Sequence, residues 1–280
     1  MGAKMGRCCG TTTLHNHEEQ EKETHLRFLQ AASAAKQEDW IIRMKASRYV
    51  PTETLARGTK LIYFVRHGQG YHNLAAAESK FRCDCREENT GNCPYLDAEL
   101  TDPKLTPLGV KQANKLARIT KELKLQPEIV YLSPLCRAIQ TGLVGFTHLI
   151  EEKSVSVPFV AAPGAREQSG LHMCDKRRNL KDIKEEFPQV DFEHIKDNKD
   201  TLFTPERESD EDLLERAYMF MVELGNRPED VIVVCSHSTW LLAVFQCVLD
   251  IENQDFKRWF QTGEMRAVIV RWEQPEDESI

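Results

Sequence analysis

No stretch of this 280-residue chain approaches the roughly 18 consecutive apolar residues that a membrane-spanning helix needs, and the first residues lack the apolar core of a secretory signal. Charge of one sign is not in excess either. The 37 Lys plus Arg stand against 44 Asp plus Glu, a formal net charge of −7, which argues against a nucleic-acid binder working through bulk positive charge. Asn-x-Ser/Thr acceptor sites and internal repeats are missing, as are low-complexity tracts apart from a Glu/Gln patch near residue 20. So are the Gly-x-Ser-x-Gly elbow, the Walker phosphate loop and the Cys-x5-Arg loop of cysteine phosphatases, which removes three routes to ester or phosphoester chemistry. What is there is an ordinary globular composition, 41% apolar and 29% charged. It is long enough for one large α/β domain with a buried core, or at most two small ones.

The nine cysteines are an odd and scattered set. They read as reduced packing residues rather than a disulfide framework, and they point to the cytoplasm. Two groups among them allow more. Cys83, Cys85 and Cys93 lie in a polar stretch with Gly91 and Pro94. Three thiolates suit zinc, but a fourth ligand at ribbon-like spacing is missing, and a loop of free thiols is the alternative. Gly2 followed by Cys8 and Cys9 suggests myristoyl plus palmitoyl anchoring to a membrane surface, although Gly6 stands where the acylation motif has Ser or Thr.

Residues 1–57 differ from the rest. From His17 to about Ser47, Leu26, Leu29, Ala32, Trp40, Ile41 and Met44 recur among Glu, Gln and Lys at helix-like spacing, so this part reads as a polar, helical N-terminal extension. Residues 58–280 then alternate strand and helix. Strand-like runs are Leu61–Val65, Glu128–Leu132, Val155–Val160, Val231–Cys235 and Ala267–Trp272. The clearest helix is Pro107–Leu123, with Thr106 as N-cap, Pro107 in the first turn and an apolar stripe through Val110, Ala113, Leu116, Ala117 and Ile119–Thr120. Strands separated by helices predict an α/β fold of three layers, α/β/α, around a mostly parallel sheet. Segment 170–208 is basic, then acidic, without a strong strand; it reads as a lid over the strand ends.

Four segments carry candidate chemistry. Leu61–Val65 runs into Arg66-His67-Gly68, placing an imidazole beside a guanidinium at a strand's carboxyl end, where open α/β sheets bind ligands. Ile129–Leu132 ends at Ser133-Pro134, and Arg137 falls in the first turn of the following helix, where a cation is unfavourable unless an anion offsets it. Val231–Cys235 leads to Ser236-His237, followed by a helix with Ser238 or Thr239 as cap, whose backbone N–H groups would point where His237 points. Arg166-Glu167 follows the Val155–Val160 run, and Glu167 suits a general acid for a leaving alkoxide. Neutral imidazole as nucleophile, with arginine forks around three oxygens, meets the needs of phosphoryl transfer without a metal.

These segments together resemble the histidine phosphatase superfamily in its phosphoglycerate mutase-like branch, over about Lys60 to Trp272. The match rests on Arg66-His67-Gly68 with Asn73, Leu105-Thr106-Pro107-Leu108-Gly109 with Gln112-Ala113, Ser133-Pro134-Leu135 with Arg137-Ala138 and Thr141, and Ser236-His237. Gly68-Gln69-Gly70-Tyr71-His72-Asn73 and His172-x-Cys174-Asp175-Lys176-Arg177-Arg178 further resemble a eukaryotic subgroup labelled phosphoglycerate mutase-like. The resemblance implies His67 as the nucleophile that becomes phosphohistidine, Arg66 and Arg137 as the phosphate clamp with Asn73 assisting, His237 steadying the phosphoryl group, and Glu167 as the proton donor. Ser238 joins the substrate-binding residues, and no metal or other cofactor is implied.

Three functions follow as expectations. The first is a phosphatase acting on a small phosphorylated metabolite; the second is a phosphoglycerate mutase; the third is a non-catalytic member that binds a phosphorylated ligand or a protein. Mutases of this family carry Glu-Ser-x-Trp-Asn after the nucleophile, where this chain has Gln69-Gly70-Tyr71-His72-Asn73, and Glu-Arg-His-Tyr-Gly around the acid, where it has Arg166-Glu167-Gln168-Ser169-Gly170. Those departures favour the phosphatase. Lys176, Arg177, Arg178 and Arg166 either reach over the pocket toward a second anionic group or belong to a solvated surface.

Overall fold

The computed structural model describes residues 23–33, 40–51, 54–79, 93–152 and 156–274. Its strands are β1 (Arg43–Arg48), β2 (Thr59–Arg66), β3 (Ile129–Leu132), β4 (Phe159–Ala161), β5 (Val190–Asp191), β6 (Val231–Ser236), β7 (Leu249–Ile251) and β8 (Met265–Glu273). They form a single sheet in the order β5-β4-β3-β6-β2-β8-β1-β7. Only β8 runs antiparallel to its neighbours, β2 and β1; the other pairs are parallel. The helices are α1 (23–33), α2 (Tyr71–Ser79), α3 (Pro107–Glu122), α4 (Cys136–Gly145), α5 (Thr147–Glu151), α6 (Leu180–Glu186), α7 (Asp210–Gly225) and α8 (Ser238–Ala243). Among the described residues no helix is long and apolar enough to cross a membrane.

The continuous apolar run of β2 follows from burial on both faces. Ile62 and Phe64 belong to one core cluster, whereas Leu61, Tyr63 and Val65 belong to the other, the period of two that a pleated strand imposes. On the first face lie α1 (Phe28, Ala31, Ala32), α7 and α8. On the second lie α3 (Leu116), α4 (Cys136, Ile139) and α6 (Leu180, Ile183). The sheet is thus the middle of three layers, as the alternation of strand and helix predicts.

Three expectations need correction. Residues 43–48, expected as helix, form β1, which pairs with both β8 and β7. Met44 is buried between exposed Arg43 and Lys45, an alternation too short to outweigh the helix-like spacing of Trp40, Ile41 and Met44. Trp40 instead stacks flat on Tyr218, ring centroids 4.6 Å apart. The Val155–Val160 run yields a strand only from Phe159; Pro158 has no N–H to give a ladder, and residue 155 lies outside the described residues. On α3 the capping is as expected, since Thr106 accepts from the Gly109 N–H, but Val110 faces solvent, and Gly109, Ala113, Leu116 and Thr120 make the buried stripe. Gly2, Cys8, Cys9, Cys83 and Cys85 also lie outside the described residues, and Cys93 is buried.

The motif residues between the strands hold one loop. After His67 the chain turns through Gly68-Gln69-Gly70, and four partners fix that turn. Thr141 Oγ1 accepts from the Gly68 N–H, Gln112 Oε1 accepts from the Gln69 N–H at 2.7 Å, Thr106 N–H donates to the Gln69 carbonyl at 2.9 Å, and Gly70 bridges to Leu105. The start of α3 lies so close that a Cβ on Gly109 would come 2.1 Å from the Gln69 carbonyl oxygen. Backbone cannot yield as a flexible side chain does. Gly109→Ala is therefore expected to lower stability by about 1–3 kcal/mol and to displace the His67 loop; denaturant unfolding together with turnover by the variant measures both.

Candidate active site

His67 lies one residue beyond β2 and His237 one residue beyond β6. The parallel register pairs Arg66 with Ser236, and the His67 N–H donates to the Ser236 carbonyl at 3.0 Å. The two rings consequently face each other with centroids 4.9 Å apart. Both are buried, at 1% and 0% exposure. His67 Nδ1 is 2.6 Å from the Gly68 carbonyl oxygen. A carbonyl only accepts, so Nδ1 carries the hydrogen and Nε2 bears the lone pair. His237 Nε2 is 2.6 Å from Ser133 Oγ, at the end of neighbouring β3.

Arg137 is brought over His67 by the first turn of α4 and is 1% exposed. Its Nε donates to His67 Nε2 at 3.3 Å, one Nη donates to the Cys174 carbonyl, and the other donates to Asp175 Oδ1 at 2.8 Å. The other Asp175 oxygen accepts from Arg207 Nη1 at 2.7 Å. The anion expected to offset a cation at this helix start is therefore in part internal. Arg66 donates to the Phe260 carbonyl at 2.6 Å. Burial pulls its guanidinium down to about 10 against the opposing pull of Glu167.

Electrostatics favours neutral imidazoles. Burial first, then Arg137 and Arg66, hold His67 well below the ordinary histidine range. His237 is lowered by burial and by Arg137 with the facing rings, and His72 by burial and Arg137. Burial alone would raise Asp175, but Arg207, Arg137 and His172 outweigh it and hold its carboxyl below the ordinary range.

Glu167 adopts a position the sequence did not foretell. Its carboxylate accepts from the Thr239 and Trp240 N–H groups at 3.1 Å and from Ser238 Oγ at 3.0 Å. The start of α8 is thus capped by a distant carboxylate, not by Ser238 or Thr239, and its N–H groups do not share the target of His237. Asn73 Oδ1 accepts from the Gly70 N–H. Asn73, Arg137, Glu167 and Ser238 all line a cavity of about 640 Å3. Arg66, His67 and His237 are not on its wall. His67 adjoins the wall through Arg137 Nε at 3.3 Å and through the His72 ring at 5.6 Å.

Sequence reasoning quoted His72, His172 and Asp175 within motifs but gave them no role, and it missed Tyr95 and Arg207. All five line the cavity, and the rings of His72, Tyr95 and His172 follow one another at 6.0 and 5.0 Å. The signal was the motif itself; the partners come from segments far apart in sequence. The four cations considered for a second anionic group do not line the cavity. Arg166 is forked onto Asp200 at 2.7 Å, Arg177 donates to four backbone carbonyls, Arg178 pairs with Glu186, and Lys176 lies over the Phe203 ring. They staple segment 170–208, which also contributes α6 and the edge strand β5.

Donor atoms of His172, Cys174 and Asp175 lie within 4.8 Å of one another. A metal ion fits them poorly, because Asp175 is already shared by two guanidiniums and burial pushes the Cys174 thiol well above its ordinary range.

A family model described as "Histidine phosphatase superfamily (branch 1)" matches residues 62–278. "Phosphoglycerate mutase-like protein" of Arabidopsis thaliana is 31% identical over 241 residues, 75% of this chain and 84% of that protein. "Phosphoglycerate mutase-like protein 1" of the same plant is 29% identical over 240 residues, 75% of this chain and 81% of that protein. Among solved structures, the ecdysone phosphate phosphatase of Bombix mori is 15% identical with a TM-score of 0.47, over 78% of this chain and 92% of that one.

The buried imidazoles predict an acid-sensitive fold. Below the ordinary histidine pKa of about 6.5, the unfolded chain takes up protons that folded His67, His72 and His237 refuse, so stability is full above that value and falls as pH drops beneath it. The loss is on the order of 1.4 kcal/mol per imidazole per pH unit within that window. Asp175, lowered in the fold, loses its contribution only below about 3.9, a separate window. Thermal melts at about pH 7 and about pH 5 are expected to show a lower Tm at the acid value; an unchanged Tm contradicts the neutral rings.

Proposed function

The chain belongs to the histidine phosphatase superfamily, and from that premise and the site geometry we propose that it is a phosphomonoester hydrolase acting through a phosphohistidine at His67. The observation that carries the reading is the His67 ring: its Nδ1 hydrogen is held by the Gly68 carbonyl, and its Nε2 lone pair faces the Arg137 guanidinium. A neutral nucleophile beside fixed positive charge is what attack on an anionic phosphorus centre requires.

The reaction has two displacements. On substrate binding Arg137 turns its Nε hydrogen from His67 to a phosphoryl oxygen, joined by Arg66 and by His237. His67 Nε2 forms a bond to phosphorus as the ester P–O bond breaks, and the departing alkoxide takes a proton from Glu167. Water then attacks the phosphorus of phosphohistidine. Its proton returns to Glu167, the P–N bond breaks, and phosphate leaves. Buried nitrogens of Arg66 (Nε), His72 (Nδ1) and His237 (Nδ1) have no hydrogen-bond partner among the described residues. This supports a polar ligand at this place, since such groups are costly to bury unsatisfied. Asn73 and Ser238 reach the same ligand from the cavity wall.

Hydrolysis is favoured over mutase chemistry because Arg166, Arg177 and Arg178 are held by internal partners away from the cavity, and Arg207, which lines it, is paired with Asp175. None is placed to grip the carboxylate of a three-carbon phospho-acid in two orientations. His67→Ala is expected to reduce hydrolysis of p-nitrophenyl phosphate by at least three orders of magnitude, and wild-type rates in that variant would remove the mechanism. With 3-phosphoglycerate and catalytic 2,3-bisphosphoglycerate, phosphate release rather than 2-phosphoglycerate is expected.

A further inference from the structure

The cavity beside His67 is about 640 Å3, a volume that encloses a ligand of drug size and far exceeds what a phosphoryl group with two or three carbons fills. Helix α1 contributes Thr24, Arg27, Gln30 and Ala31 to its wall. The helix is seated by Phe28, Ala31 and Ala32, each at most 3% exposed in the core. It is clipped to the first turn of α7 by an Arg27–Asp210 ion pair at 3.2 Å. None of these residues belongs to the phosphoryl-transfer machinery, and none lies within the four chemical segments.

The wall they form has a definite chemistry. Arg27, Gln30 and Thr24 supply donors, while Glu208, Asp210 and Glu211 at the start of α7 supply acceptors. Glu208 is matched by Arg216 at 2.7 Å and Asp210 by Arg27, so exposed Glu211 gives this end a net negative charge. A second phosphate or a carboxylate placed here meets that charge, while Arg27 and Arg207 on the described wall are already bonded to Asp210 and Asp175. A hydroxyl group, which donates and accepts at once, satisfies both kinds of neighbour. Trp259, part-exposed, also lines the cavity.

We infer that α1 is the specificity wall of the active site, and that with the start of α7 it selects monophosphates of uncharged, hydroxyl-bearing alcohols of about hexose size. The inference rests on the phosphatase reading and adds the alcohol half of the substrate to it.

The test compares kcat/KM for glucose 6-phosphate, fructose 1,6-bisphosphate and p-nitrophenyl phosphate in wild type, Gln30→Ala and Glu211→Lys. Wild type is expected to prefer the hexose monophosphate over the bisphosphate by about tenfold or more. Gln30→Ala is expected to lower the ratio of glucose 6-phosphate to p-nitrophenyl phosphate by about fivefold, mainly through KM. Glu211→Lys, which reverses the charge at this end, is expected to raise the bisphosphate relative to the monophosphate by about threefold or more. Ratios within twofold of wild type in both variants, or a wild-type preference for the bisphosphate, overturn the inference and leave the phosphatase reading standing. Wild type inert toward all three compounds, p-nitrophenyl phosphate included, defeats the phosphatase reading, and this inference falls with it.

Discussion

The parallel pairing of β2 with β6 sets the geometry on which the site depends. Because Arg66 is opposite Ser236 and Leu132 is opposite Cys235, three strands reach their carboxyl ends at one level. The next residues, His67, His237 and Ser133, then meet without any loop having to search for them. A slip of one residue would turn each side chain to the other face of the sheet. With both faces of β2, β3 and β6 buried, such a slip would force every side chain into a core packed for its neighbour, which opposes it. The core and the site are therefore fixed by the same constraint.

Charges buried at this level are matched by groups from remote parts of the chain. Asp175 stands between Arg137 and Arg207, Glu167 caps α8, and Asp102, 2% exposed, accepts from the Cys136 N–H at the start of α4. Without such partners a buried guanidinium would cost several kcal/mol and an uncapped helix start about 1 kcal/mol. The arrangement has a consequence under the proposed mechanism. A substrate dianion meets an Arg137 that is already hydrogen-bonded, so binding exchanges one set of contacts for another. Arg137 need only give up the His67 contact to engage phosphate. Its bonds to Asp175 and Cys174 can persist and hold the guanidinium plane in position.

The strands that end at the candidate site were legible in the sequence because burial on both faces writes them as continuous apolar runs ending at polar residues. His67, Arg137 and His237 could be named for that reason, and the Thr106-to-Gly109 motif marked a cap that the structure contains. What stayed hidden depends on pairings that no local pattern encodes. β1 has one fully buried residue, Met44, and its neighbours imitate a helix. Glu167 was visible as a carboxylate after a strand, but its contact with the start of α8 joins positions 71 to 73 residues apart. Asp175 and Arg207 meet only because segment 170–208 folds back on itself. The basic run through Lys176, Arg177 and Arg178 pointed toward the pocket, whereas its guanidiniums and ammonium are held by carbonyls, a carboxylate and an aromatic ring.

The two halves of the cavity differ in how they are anchored, and the difference has a physical origin. The phosphoryl end is built on strand ends whose position is set by ladder hydrogen bonds and by side chains at or near 0% exposure. The opposite end is built from α1 and the first turn of α7, which meet there in the part-exposed Arg27–Asp210 ion pair, a contact worth about 1 kcal/mol or less. Substitutions on exposed faces of α1 leave the core packing of Phe28, Ala31 and Ala32 intact, so the wall can be altered without disturbing the register that places His67. Under the proposed function the chemical step and the choice of alcohol are consequently separable: the first is tied to the sheet, the second to a helix packed into the core through Phe28, Ala31 and Ala32.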